Sequence, residues 1–148
     1  MALREIRVEG DPVLAKVCKE IKEVTPRIQD LIDDMIETMY EANGVGLAAP
    51  QVGILKRIVV IDVGEGPIVM INPHIVSTDG EQTGDEGCLS VPDRCEIVTR
   101  PMRVSVRAQN RYGENITVTG EGLKARALCH EIDHLDGVLY IDHAQRRK

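Results

Sequence analysis

His130-Glu131-Ile132-Asp133-His134 is an HExxH pentad, and the segment around it decides the fold. From about Glu121 to Leu135 the pattern predicts a helix, closed by Gly137. On such a helix two histidines four apart share one face, about one turn from each other. Both imidazoles can then reach one metal ion at about 2 Å. Glu131 sits beside them, placed to exchange a proton with water at that ion. The alternative is a solvated helix face with two chance histidines.

The residues after the pentad exclude common partners. The metzincin pattern HExxHxxGxxH needs a third His where this chain has Tyr140, although Gly137 is in place. A thermolysin-like Glu would come from a helix well downstream, and the sequence ends at Lys148, too soon for one. A third ligand is therefore expected upstream. Cys129 adjoins His130 and points about 100° away around the helix. Cys18 reads as a small buried hydrophobe. Cys95 lies in a charged stretch without supporting context, and His74, after Asn72-Pro73, reads as the end or edge of a strand. Cys88 differs. It stands in Gly84-Asp85-Glu86-Gly87-Cys88-Leu89-Ser90, with glycines flanking an acidic pair. Such glycines let backbone approach something closely. A lone loop Cys is ordinarily structural; the incomplete HExxH reverses that reading.

Working outward, Thr25-Pro26 opens an amphipathic helix whose buried stripe is Ile28, Leu31, Ile32, Met35, Ile36, Met39 and Tyr40, ended by Asn43-Gly44. Residues 45–119 turn to strands. Arg57–Ile61 is one run, and Ile68–Ile71 is another, stopped by Asn72-Pro73. Val104, Val106 and Ala108, then Ile116 and Val118 after a turn at Tyr112-Gly113, alternate with polar residues. The outline is α+β: mainly antiparallel β-sheets surrounding the HExxH helix, with the N-terminal amphipathic helix beside them. At 148 residues, the chain 1–148 reads as a single catalytic domain. With no Phe or Trp, the core must come from Val, Ile, Leu, Met and Ala.

Net charge is −6, which argues against broad nucleic-acid binding; the basic Arg146-Arg147-Lys148 reads as a solvated tail. No stretch reaches the roughly 18 apolar residues of a membrane span. The charged start, Met1 to Arg7, is not a secretory signal. Four scattered cysteines suggest no disulfide framework, so a reducing cytoplasm is expected.

Three segments together carry a resemblance. Gly44-Val45-Gly46-Leu47-Ala48-Ala49-Pro50-Gln51 resembles GxGxAAxQ, Glu86-Gly87-Cys88-Leu89-Ser90 resembles EGCxS, and His130–His134 with Leu135-Asp136-Gly137 resembles the family's HExxH segment. In this order they resemble the peptide deformylase family, from the Asp11-Pro12-Val13-Leu14 opening to Tyr140. The resemblance implies a bacterial cytoplasmic metallohydrolase that removes the formyl group from the N-terminal methionine of nascent polypeptides. Its metal ligands would be Cys88, His130 and His134, with Fe²⁺ the natural ion and Zn²⁺, Ni²⁺ or Co²⁺ possible substitutes. Glu131 would be the base, and the Gln51 amide and the Leu89 N–H the oxyanion donors. Gln51 also reads as a polar residue ending a loop. The peptide would lie extended along Gly44-Val45-Gly46-Leu47. Val45, Leu123, Ala127 and His130 would wall the methionine pocket. Glu86 and Arg100 would stand near the substrate, although Arg100 also reads as a plain surface residue.

Two positions depart from longer relatives. Gly84 replaces a bulkier apolar residue, which would open the pocket rim. Arg126 falls where some relatives carry an aliphatic residue, its stem packed and its head expected in water. Some relatives reach the ribosome surface through a long C-terminal helix; with the sequence stopping at Lys148, soon after Tyr140, docking by that route is not expected. Two other readings compete: a small zinc endopeptidase, and a closed structural Cys/His site. The first lacks downstream ligands, and the second lacks a fourth ligand.

Overall fold

The computed structural model describes residues 2–143. Two helices and seven strands make an α+β fold with antiparallel sheets. Helix α1 is Pro26–Glu41. It begins where the Thr25 hydroxyl accepts the Ile28 N–H at 3.3 Å and Pro26 supplies a first residue that needs no donor. It ends before Asn43, whose φ of 57° only a few residue types adopt readily. Helix α2 is Leu123–Leu135; it starts two residues later than the sequence pattern predicts, because Glu121 still belongs to the preceding strand.

Strands β1 (Gly46–Ala48), β2 (Ile58–Ile61), β3 (Ile68–Asp79), β6 (Arg103–Gln109) and β7 (Asn115–Glu121) form one sheet in the order β1-β2-β3-β6-β7. Strands β4 (Gln82–Cys88) and β5 (Val91–Arg100) form a separate hairpin. The five-stranded sheet lies between the two helices, and β2 shows why. All four of its side chains are buried, and they alternate. Ile58 and Val60 join Leu31, Ile32, Met35 and Met39 under α1, while Val59 and Ile61 join Leu128, Ile132 and Leu135 under α2.

The strand expected to stop at Asn72-Pro73 does not stop. It carries on to Asp79, and the register shifts between Ile71 and His74. Proline has no N–H for the ladder, so the chain bulges there. Asn72 takes φ 53°, accepts the Ile21 N–H and donates to the Ile21 carbonyl, both at 2.8 Å. His74 therefore sits within β3, opposite Arg107, rather than at the strand's end. The Cys motif is likewise no loose loop: Cys88 is the last residue of β4, set off by a register shift after Gly87. The tail Arg146-Arg147-Lys148 lies outside the described residues. No helix among them is long and apolar enough to cross a membrane.

Candidate metal centre and cleft

Helix α2 turns both histidines of the pentad inward, His130 6% and His134 1% exposed. The end of β4 brings Cys88 against them, with Sγ 3.3 Å from His134 Nε2. The donor atoms of Cys88, His130 and His134 all lie within 4.8 Å of one another. Two ligands bound at 2.0–2.3 Å in a tetrahedral arrangement stand roughly 3.5 Å apart. The three residues therefore fit a common ion without rearrangement of the backbone.

The ring orientations agree with that fit. His130 Nδ1–H donates to Glu86 Oε2 at 2.7 Å, which leaves Nε2 for the cluster. Tyr140 stacks on the same ring at 5.8 Å between centroids, and its hydroxyl donates to the Arg94 carbonyl. Electrostatics point the same way. Burial pushes His134 down to about 3, so its imidazole is neutral, as a ligand must be. Burial opposes charge on His130 too, but Glu131 and Cys88 outweigh it and raise His130 to about 10. Without an ion His130 therefore carries a proton, which a metal bound at Nε2 would displace.

Glu131, 4% exposed, lies beside the donors, and its Oε1 has no hydrogen-bond partner among the described residues. Burial pushes its carboxyl up to about 7. A base of that strength near neutral pH is suited to taking and returning a proton. Its place depends on Gly46. A Cβ on Gly46 would stand 2.6 Å from Glu131 Oε2. The sequence puts an extended peptide along this segment; the neighbour packed against Gly46 is the Glu131 carboxylate.

Gln51 follows β1 in the short turn Ala49–Val52 and is 1% exposed. Its Oε1 accepts the Ala48 N–H at 2.9 Å. Its Nε2 donates to Ser90 Oγ at 3.1 Å and stands 3.6 Å from Cys88 Sγ. The carboxamide is thereby fixed with its donor end toward the metal cluster.

A cleft of about 430 Å³ opens over these groups. Gly44, Val45 and Gly46 form one side, and Gly87, Cys88, Leu89 and Pro92 the other; Gln51, His130 and Glu131 lie within it. A side pocket of about 130 Å³ adjoins it, where Val45, Leu123, Ala127 and His130 meet Asp85, Glu86 and Arg126.

Three residues expected at the substrate have side chains engaged within the protein. The Leu47 side chain is fully buried in the core under α1, and Leu47 lines neither cavity. Arg100, 5% exposed, lines neither cavity. Its fork grips Glu86, with Nε to Oε1 at 3.1 Å and Nη2 to Oε2 at 2.7 Å, while Nη1 reaches Asp133 at 2.7 Å. Glu86 borders the side pocket, but both its oxygens are engaged, by Arg100, by Arg126 at 2.9 Å and by His130. Burial alone would raise the Glu86 carboxyl; the hydrogen bonds from His130 and Arg100 overcome this and hold it at about 2. The Arg126 head, expected in water, is buried against Glu86 and the Val98 carbonyl.

Sequence reasoning missed Ser90, Asp133 and Tyr140 as supports of the site. Ser90 lies inside the EGCxS segment and Asp133 inside the pentad, so their positions carried a signal that their side-chain directions did not. Cys18 and Cys129 are buried thiols pushed up to about 11 by burial, consistent with packing roles. His74 pairs with Glu20 at 3.0 Å and His143 with Asp133 at 3.2 Å.

Comparison with known proteins adds to this geometry. The family model described as "Polypeptide deformylase" matches residues 3–148. A peptide deformylase of Agathobacter rectalis is 69% identical over 145 residues, spanning 98% of this chain and 92% of that protein. The crystal structure of peptide deformylase from Thermotoga maritima superposes with a TM-score of 0.95 at 46% identity, covering 97% of this chain and 99% of that one. A peptide deformylase from Synechococcus elongatus in complex with actinonin gives 0.94 at 41% identity, covering 97% of this chain and 80% of that one. A cleft with HExxH and a cysteine at its base, matched along its whole length to these enzymes, places this chain in the polypeptide deformylase family of metal-dependent hydrolases.

Proposed function

We propose that the chain acts as a single catalytic domain, residues 1–148, that removes the formyl group from the N-terminal methionine of nascent polypeptides. Membership of the deformylase family supports the reaction. The observation that carries the site is the meeting of Cys88, His130 and His134 at the floor of a cleft that also holds Glu131 and Gln51. Those three residues would hold one divalent cation, Fe²⁺ in the cell, with Zn²⁺, Ni²⁺ or Co²⁺ as substitutes. Such a cation supplies Lewis acidity and makes water nucleophilic near neutral pH.

The protein's own groups do the rest. Glu131 takes the proton of the attacking water and returns it to the departing amine, which its raised pKa suits. Gln51 Nε2 and the Leu89 N–H donate to the oxygen as it becomes negative. The Gln51 amide is held in advance by Ala48 and Ser90, so little reorganisation opposes it. The peptide lies extended along residues 44–47, because β1 is an edge strand of its sheet and one of its sides is free to pair. Main-chain pairing of this kind ignores sequence, which suits an enzyme acting on most new proteins. The methionine side chain enters the pocket of Val45, Leu123 and Ala127. Nascent formylated peptides place the enzyme in the bacterial cytoplasm; docking on the ribosome is no part of the proposal.

The test is formate release from a formyl-Met-Ala-Ser peptide by anaerobically purified protein, with metal analysis of the same sample. We expect formate, one metal per chain, and no cleavage of unformylated peptides. Cleavage at internal bonds without formate would make it an endopeptidase. Metal bound with neither activity would make it a structural site.

A further inference from the structure

Arg126 borders the side pocket, yet nothing in the proposed chemistry uses it. It stands four residues before His130 on α2, so the two share a face about one turn apart. Its side chain is 10% exposed, with the charged head inside the protein. Nη1 donates to Glu86 Oε1 at 2.9 Å and to the Val98 carbonyl at 3.1 Å. Glu86 in turn receives the fork of Arg100 and the Nδ1–H of His130. Buried charges persist when paired and hydrogen-bonded. Here the guanidinium groups of Arg100 and Arg126 face the carboxylates of Glu86 and Asp133.

The room for a guanidinium comes from Gly84. A Cβ there would meet Arg126 Nη2 at 3.6 Å, an ordinary contact. A branched side chain extending further would enter the space the guanidinium holds. Gly84 and Arg126 are thus two halves of one packing solution: the strand residue is small because the helix residue is large.

We propose that Arg126 is a positioning residue of the metal site: seated in the space left by Gly84, its guanidinium fixes Glu86 and, through it, the ring of His130. The inference rests on Cys88, His130 and His134 being the metal ligands. Without Arg126, Glu86 Oε1 keeps only the Arg100 Nε–H, and the network loses one positive charge. The carboxylate can then rock about the Arg100 fork, and the His130 ring moves with it. Partners of a metal-ligating His are worth about 10–100-fold in metal affinity. Arg126 acts one bond further out, so the lower end of that range is expected.

The experiment measures release of Ni²⁺ from Ni²⁺-loaded protein into excess EDTA, alongside thermal unfolding. Arg126→Leu should release Ni²⁺ about tenfold faster than the parent, and Arg126→Lys at an intermediate rate. The pair Gly84→Ile with Arg126→Ile should recover unfolding temperature lost by Arg126→Ile alone, since two apolar side chains refill the space. It should not recover Ni²⁺ retention, since neither donates to Glu86. The proposal is overturned if Arg126→Leu releases Ni²⁺ within twofold of the parent. It is also overturned if the double variant regains retention together with stability, because Arg126 then only packs. Parent protein that takes up no Ni²⁺, or keeps it after Cys88→Ala, overturns the ligand assignment and this inference with it.

Discussion

Glu131 and Gly46 pack against each other, and each constrains the other. The carboxylate lies where a Cβ on residue 46 would come within 2.6 Å of it. Gly46→Ala should therefore displace Glu131 while leaving the three ligands in place. Misplacing a catalytic group by about 1 Å can cost about 100-fold. Formate release should fall by about that factor at unchanged metal content; a rate within threefold of the parent would show that the strand yields instead. Glu131→Gln removes the base and keeps the shape. Its rate should drop by about 10²–10⁴-fold with metal still bound, read from kcat and metal analysis together. At this scale the sequence was informative about types and spacing. The pentad was legible because helical geometry converts a four-residue interval into a shared face, and Cys88 because its glycine-flanked stretch set it apart once the pentad lacked a third ligand. Glu86 and Arg100 were not, because a motif names residues without giving the directions of their side chains. Both were expected at the substrate, and both turn inward to support His130.

Strands and helices were legible where periodicity alone decides them. The α1 stripe, the Thr25-Pro26 start and the alternation of β2 all follow from apolar spacing. The pattern misleads at Asn72-Pro73, where local chemistry signals a stop and tertiary pairing continues the strand. β6 pairs with β3 on both sides of the irregularity, so the ladder resumes at His74 and, after a second register shift between Ile75 and Ser77, runs on to Asp79. The Asn72 side chain ties the bulge to the N-terminal segment, accepting the Ile21 N–H and donating to the Ile21 carbonyl. Asn72→Ala would leave that donor and acceptor unpaired at a positive φ. It should lower unfolding free energy by about 1–3 kcal/mol in urea titrations, with the denaturant slope unchanged. A loss below about 0.5 kcal/mol would mean that water replaces the side chain there. The β4–β5 hairpin was hidden for a different reason. Gly84, Asp85, Glu86 and Gly87 have weak strand preference, and they are held in a ladder by the partner β5 and by α2 behind them.

The whole molecule is a helix-flanked sheet with a hairpin fastened to one of its helices, and the fastening is largely ionic. Glu86 on β4 is tied to Arg126 on α2 and, through the Arg100 fork, to Asp133 on α2. Its stability contribution must depend on pH. The ordinary value is 4.5, and in the fold burial's upward push is overcome by the hydrogen bonds from His130 and Arg100, giving about 2. A carboxyl depressed on folding stabilises fully above its unfolded pKa, and that stabilisation is lost as pH falls toward the folded value. The window is therefore about pH 4.5 down to 2, and the contribution is fully present near neutrality. Acid also releases metal, so the comparison belongs on a Cys88→Ala background, where one ligand is gone. There Glu86→Gln should flatten the fall of unfolding free energy between pH 4.5 and 2. The two proteins should differ most at pH 7 and converge toward pH 2. Parallel curves across that window would mean that Glu86 titrates alike in folded and unfolded chains, and that the hairpin is held to α2 by packing around Val91, Val98 and Tyr140 instead.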